Sequence, residues 1–165
     1  AYEVHDDAYV QTKTGFDTWQ GDCLQLGTDL DPLKDIVLTG NQLADAGSRR
    51  YSEIDLALTN NGPEAYRTAT FDSARLPVAL IAPADLPLAV KRIESKTGGV
   101  TLIYEAAIPW ATLGASGPTS AGSVVGISAT INDRDDGKQL EPSALGIFEL
   151  KNTKRFGLLT LEDAK

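Results

Sequence analysis

Hydrophobic residues recur at every second position along most of this chain, the spacing of β-strands that turn one face to a core. Tyr2 and Val4 open a short strand that ends at Asp6-Asp7. Leu24 and Leu26 alternate with Cys23, Gln25 and Gly27, and this strand runs into Asp29-Leu30-Asp31-Pro32. Ile54, Leu56 and Leu58 alternate with Glu53, Asp55 and Ala57. Asn60-Asn61-Gly62-Pro63 then marks a turn, because Asn and Gly tolerate φ > 0, and Tyr66 to Phe71 is the return strand. Ala89–Glu94 and Val100–Ile108 flank Thr97-Gly98-Gly99 and predict a β-hairpin, with Val100, Leu102, Tyr104, Ala106 and Ile108 on one face. Pro109 ends that strand, and Trp110-Ala111-Thr112-Leu113-Gly114 predicts one helical turn closed by glycine. Gly126–Asn132 and Phe156–Leu161 supply two further strands. Eight or nine strands without an amphipathic helix predict an all-β antiparallel sandwich or jelly roll. With no repeat, linker or low-complexity tract, one domain over 1–165 is expected.

Composition changes this picture little. A chain of 165 residues is long enough to bury about 70% of its unfolded surface, and 42% hydrophobic with 23% charged residues excludes disorder. The longest apolar run, Leu76–Ala84, contains Pro77 and Pro83 and falls far short of the ~18 residues of a membrane span, so no membrane insertion is expected. Charge excludes more. A formal net charge of −8 with no basic stripe repels phosphate backbones, so nucleic acid is not an expected partner. Methionine is absent even at position 1, which leads us to expect a processed or excised segment with flanking domains of a longer chain. Cys23 stands alone, so no internal disulfide forms and a small buried residue is expected there.

The inventory of reactive groups is short. His5 is the one histidine and no Gly-x-Ser-x-Gly elbow occurs, which argues against a catalytic triad; one His and one Cys argue equally against zinc. Glycoside hydrolysis needs only two carboxylates, and Glu105 could oppose Asp55 from another strand. Most carboxylates of an acidic domain are solvated, however, and a catalytic pair must be held in a cleft, so no enzyme activity is expected. The Asp-rich stretch Asn132-Asp133-Arg134-Asp135-Asp136-Gly137 offers hard oxygen ligands without matching an EF-hand loop. Asp6, Asp22 and Asp133 fall near strand ends, where they either ligate calcium or cap turns. Trp19 lies in the polar segment Gly15–Asp22, either as a buried anchor or as an exposed platform for the C–H face of a sugar. Trp110 reads as core packing.

The run from Trp19-Gln20-Gly21-Asp22 through Leu26-Gly27-Thr28-Asp29 resembles a segment of the family 9 carbohydrate-binding modules. Tyr104-Glu105-Ala106-Ala107-Ile108-Pro109-Trp110, Val125–Asp133 and Arg155-Phe156-Gly157-Leu158-Leu159-Thr160-Leu161 are similar to three further motifs of that family, in the same order. The resemblance implies an extracellular or cell-surface β-sandwich with structural calcium, attached to a polysaccharide-degrading or surface protein and binding a glycan. Asp6, Asp22 and Asp133 are then the calcium ligands, Trp19 stacks on a pyranose ring, and Gln25, Arg50, Tyr51 and Asn132 are hydrogen-bond partners. Family members clamp a terminal sugar between two tryptophans. Here no second tryptophan precedes the closing strand, where Phe148 or Leu150 lies nearest; Gln25 replaces an acidic residue, and the family's next arginine falls near Asp55. The family also carries one or two strands before the one at Tyr2–Val4, which predicts an open sheet edge here. Related sandwiches hold haem through Met and His; with no Met and one His, no haem is expected. The alternative is a structural or adhesive sandwich without a sugar site. Exposure of Trp19 discriminates: open under the sugar-binding reading, buried under the other.

Overall fold

The computed structural model describes residues 1–32, 50–117, 119–135 and 156–162, together with the backbone of 141–145. Among the described residues nine strands form two antiparallel sheets: β1 (Tyr2–Asp6), β2 (Cys23–Asp29), β3 (Tyr51–Thr59), β4 (Gly62–Thr70), β5 (Leu88–Glu94), β6 (Val100–Ala106), β7 (Val124–Asp133), β8 (Glu141–Leu145) and β9 (Gly157–Thr160). The smaller sheet has the order β1-β6-β5, the larger β4-β3-β2-β7-β8, and β9 also pairs with β7. β7 is long enough to carry two partners along one edge. Its residues Val124–Ile127 pair with β9 and Ala129–Asp133 with β8.

The alternation read from the sequence is the alternation that packs. Leu24 and Leu26 of β2, Ile54 and Leu56 of β3, and Ala129 of β7 meet Val100, Leu102 and Tyr104 of β6 in one core between the sheets. The side chains of Leu24, Ile54, Leu56, Leu86 and Leu102 are almost wholly removed from water. Each contributes on the order of 2 kcal/mol of burial free energy. Register follows from this pattern, since a slip of one residue would turn the leucines of β2 outward.

Both hairpins form where turn residues stand. β3 and β4 join through Asn60-Asn61, with Thr59 opposite Gly62 at φ 101°. β5 and β6 join through Ser95–Gly99, with Gly98 and Gly99 at positive φ. Trp110–Gly114 makes a helical turn that closes as expected: Gly114 sits at φ 94°, and the Ala115 N–H donates to Trp110 O at 2.9 Å.

Four details differ from the sequence reading. β6 stops at Ala106: the Ala107 N–H still donates to Pro87 O, in register with the Leu88–Ala106 pair, but Pro87 has no N–H to carry the ladder on, and Ala106 is exposed while Ile108 packs half-buried on the core. β8 was not foreseen, since Pro142 inside it argues against a strand. β9 spans Gly157–Thr160 only, with all four residues exposed. The Gly15–Gln20 segment, expected as a loop, is a 3-10 helix. β1 and β5 are the edges of the smaller sheet among the described residues. No helix among the described residues is long and apolar enough to cross a membrane.

Candidate functional site

The outward face of the larger sheet is polar and buried together. Gln25 and Asp29 of β2, Glu53 and Asp55 of β3, and Thr130 and Asn132 of β7 alternate with the core residues, yet none is more than 5% exposed. Buried polar groups must be hydrogen-bonded. Gln25 donates its amide to Asp55 at 2.8 Å, and Glu53 accepts from the Tyr51 hydroxyl and from Thr68 Oγ1. A β-bulge between Glu53 and Ile54 adds Thr68 to β4, which places Thr68 against Glu53 and leaves Arg67 opposite Ile54 on the inner face.

The 3-10 helix crosses one end of this face and is tied down from several directions. Its first N–H, from Gly15, donates to Glu64 Oε1 of β4 at 2.6 Å, where the N-cap Thr14 supplies no side-chain bond. Thr18 is fully buried and donates to Gly15 O. Gln11, also buried, donates to Thr18 O and Asp22 O. A side chain at Gly21 would meet the Gln11 amide, the nearest atom lying 2.4 Å from its Cβ, and would have to displace Gln11 from its bonds to Thr18 O and Asp22 O. Asn132 donates to Trp19 O at 3.1 Å and Arg134 to Gln20 O at 2.6 Å.

On this fixed backbone the helix displays aromatics. Trp19 is 40% exposed and Phe16 54% exposed, and Phe16 stands edge-on to the half-buried Tyr66 at 6.3 Å between centroids. Asp17 and Gln20 hydrogen-bond to each other beside them at 2.8 Å. Trp110, by contrast, packs against the core.

The other residues expected at a sugar do not gather around Trp19. Gln25 and Asn132 are buried with their amide donors engaged, Asn132 behind the platform as its anchor. Arg50 donates to Gly114 O at 3.1 Å and lies over the Phe71 ring, while Tyr51 packs on Phe156 at 6.0 Å. Tyr51 pairs with Asp29, at the far end of β2 from Cys23 and Trp19. Seven strand residues span about 20 Å at roughly 3.3 Å each, too far for one pyranose ring. Periodicity could not reveal this, because it gives the face of a residue and not what covers it. Phe16, Glu64 and Gln11 were missed for the same reason. Phe148 and Leu150 lie outside the described residues.

The carboxylates sort differently from the expectation. Asp6, Asp133 and Asp135 can each offer an oxygen within 4.8 Å of the others. Asp22 lies beside them, but its two oxygens accept the N–H groups of Val10 and Arg134. Asp135 therefore takes the place expected of Asp22 in this cluster. Burial, reinforced by the charges of Asp6 and Asp133, pushes the Asp22 carboxyl up to about 7 against the pull of its two backbone donors. Asp6 is also raised, by burial and by its neighbours Asp7 and Asp135. Three converging carboxylate oxygens suit a hard divalent cation. Asp136 and Gly137 of the same turn lie outside the described residues.

Glu105 and Asp55 alternate with core residues of different sheets, so they face out from opposite sides of the sandwich and form no pair. His5 is exposed on β1, and Cys23 is buried and free, its sulfur 3.4 Å from the Asn132 amide. A scan against protein-family models finds no match to this chain, and a search among curated proteins finds none either.

Proposed function

We propose that this chain is a non-catalytic carbohydrate-binding module of the kind the family 9 modules represent, acting outside the cell on a glycan. The observation that carries the reading is the exposed Phe16–Trp19 pair on a backbone held by Glu64, Gln11, Asn132 and Arg134. Exposed aromatics on a rigid support bind at low ordering cost, and the C–H faces of a pyranose match their apolar surface. Asp17 and Gln20 stand close enough to meet its hydroxyls. With one tryptophan and no facing partner among the described residues, stacking is one-sided, which suits a ring along an accessible chain better than an enclosed chain end. Calcium, held by Asp6, Asp133 and Asp135, would fix β1 to the end of β7 beside the platform.

Affinity electrophoresis through soluble polysaccharides tests this. Retarded migration that Trp19→Ala abolishes, with circular dichroism unchanged, is expected. Retention unaffected by both Trp19→Ala and Phe16→Ala would remove the platform from the site.

One observation favours the structural or adhesive reading instead. Leu158 and Leu159 of β9 are 50% and 49% exposed at adjacent positions, on a four-residue strand. Silence on every polysaccharide, from folded protein that self-associates through this strand, is the outcome that reading requires.

A further inference from the structure

Arg67 stands apart from the other arginines of the described residues. The β4 bulge turns it inward beneath the Trp110–Gly114 turn, where it is 6% exposed. Of its five N–H donors two are engaged, both by backbone carbonyls: Pro77 O at 3.3 Å and Thr112 O at 2.6 Å. Its Nε–H is buried and has no hydrogen-bond partner. No carboxylate among the described residues comes within salt-bridge reach of it. A guanidinium cannot shed its charge as a lysine can, and a buried cation without a counter-ion is unfavourable. In a chain of net charge −8, carboxylates to pair with it are not scarce.

The same guanidinium lines a cleft of about 340 Å³ together with Pro77, Leu80, Ile81, Ala111 and Thr112. Arg75 stands at its mouth, half exposed, donating to Gly114 O at 2.7 Å and 3.8 Å from Asp72. Asp85, exposed, lines the rim. Asp72 offsets Arg75 and Asp85 lies exposed on the rim, so Arg67 is the one buried charge among the described lining residues. A dianion would be overcompensated there and repelled by Asp85. A singly charged, planar carboxylate matches the guanidinium fork, and hydroxyls on the same ligand would donate to Asp85.

We propose that this cleft is a binding site for a hydroxylated carboxylate of the uronate type, its carboxylate held by Arg67 and Arg75 and its hydroxyls by Asp85. The site stands on the far face of β4 from the aromatic platform and holds whether or not that platform binds sugar.

The Nε–H resonances of the arginines in ¹⁵N-labelled protein report on it directly. Sodium glucuronate is expected to shift the Arg67 signal saturably at millimolar concentrations, with sodium acetate acting more weakly and glucose not at all. Arg75→Gln changes an exposed side chain and should weaken glucuronate by roughly fivefold to tenfold, the loss of one charge-assisted contact. Arg67→Lys, which keeps the charge and loses the fork, should weaken it at least as much if that variant folds. An Arg67 signal that ignores glucuronate overturns the proposal, as does an equal response to glucose. A response to sulfate but not to either carboxylate overturns the ligand class.

Discussion

The raised Asp22 carboxyl makes metal-free protein gain stability as the solution is acidified through neutrality. Asp22 titrates near 7 in the folded chain against an ordinary value of 3.8, with burial the largest cause. Between those limits the folded state holds a proton that the unfolded chain has lost. The sign follows: stability rises as pH falls from about 8 toward about 4, and the gain is lost again as pH climbs through the folded value. At about 1.4 kcal/mol per pH unit, the ceiling over that window is on the order of 4 kcal/mol. The two backbone donors, Val10 and Arg134, favour the ionised form, so they reduce this gain without reversing it.

Urea unfolding in chelator at pH 8, 7, 6 and 5 (chosen to bracket the folded value of about 7) measures the slope. Asp22→Asn supplies the control, because acidification also relieves the general repulsion of a chain carrying −8. The variant should be less stable at pH 5, having one acceptor for two N–H groups, and should show a distinctly flatter pH dependence than the parent. Equal slopes in parent and variant would refute the assignment, as would a parent that loses stability on acidification from pH 8 to 6.

Three further outcomes follow from the same geometry. Calcium should raise the melting temperature of the parent by several degrees and remove most of the pH slope, and Asp135→Asn should reduce that rise, read by thermal unfolding with and without chelator. Asn132→Ala should cost about 1–2 kcal/mol by orphaning the Trp19 carbonyl, and should raise the acrylamide quenching of tryptophan fluorescence as the platform loosens. Gly114→Ala should cost about 2–4 kcal/mol, since φ is 94° there and a built Cβ lies 2.7 Å from Leu76 and 2.8 Å from Phe71; a melting temperature within a degree of the parent would contradict the closure of that turn.

Much of the fold was legible because one face of nearly every strand is apolar. Leu24-x-Leu26, Ile54-x-Leu56 and Val100-x-Leu102-x-Tyr104 all turn the expected way, and glycine or asparagine stands at each tight turn. The elements missed lack such a signature. Glu141–Leu145 carries a proline, and the 3-10 helix is built on Thr18 and Gln11, whose burial depends on contacts distant in sequence. Around the candidate site, Trp19 stands open, as the sugar-binding expectation requires, and Asp6 and Asp133 do converge. Gln25 and Asn132 are buried and Arg50 and Tyr51 lie away from Trp19, because alternation gives the face of a polar residue and not what covers it.

The burial of these polar residues accounts for how the platform is held. An outward face of Gln25, Glu53, Asp55, Thr130 and Asn132 under 6% exposed offers no docking surface in its present form; it behaves as a second, polar core. Hydrogen bonds are directional where apolar packing is not, so Gln25 to Asp55 and Thr68 to Glu53 tie neighbouring strands of this layer together. Asn132 belongs to that layer and also to the platform, through Trp19 O. Arg134, two residues further along the chain just past β7, holds both Gln20 O and an oxygen of Asp22. The end of β7 therefore couples the buried network, the carboxylate cluster and the aromatic display within three residues. A cation at Asp133 and Asp135 would stiffen that stretch from one side while Asn132 stiffens it from the other. Chelation should then weaken any Trp19-dependent glycan retention without Trp19 touching the ion, and a chelated protein that binds undiminished while its melting temperature falls would separate the two.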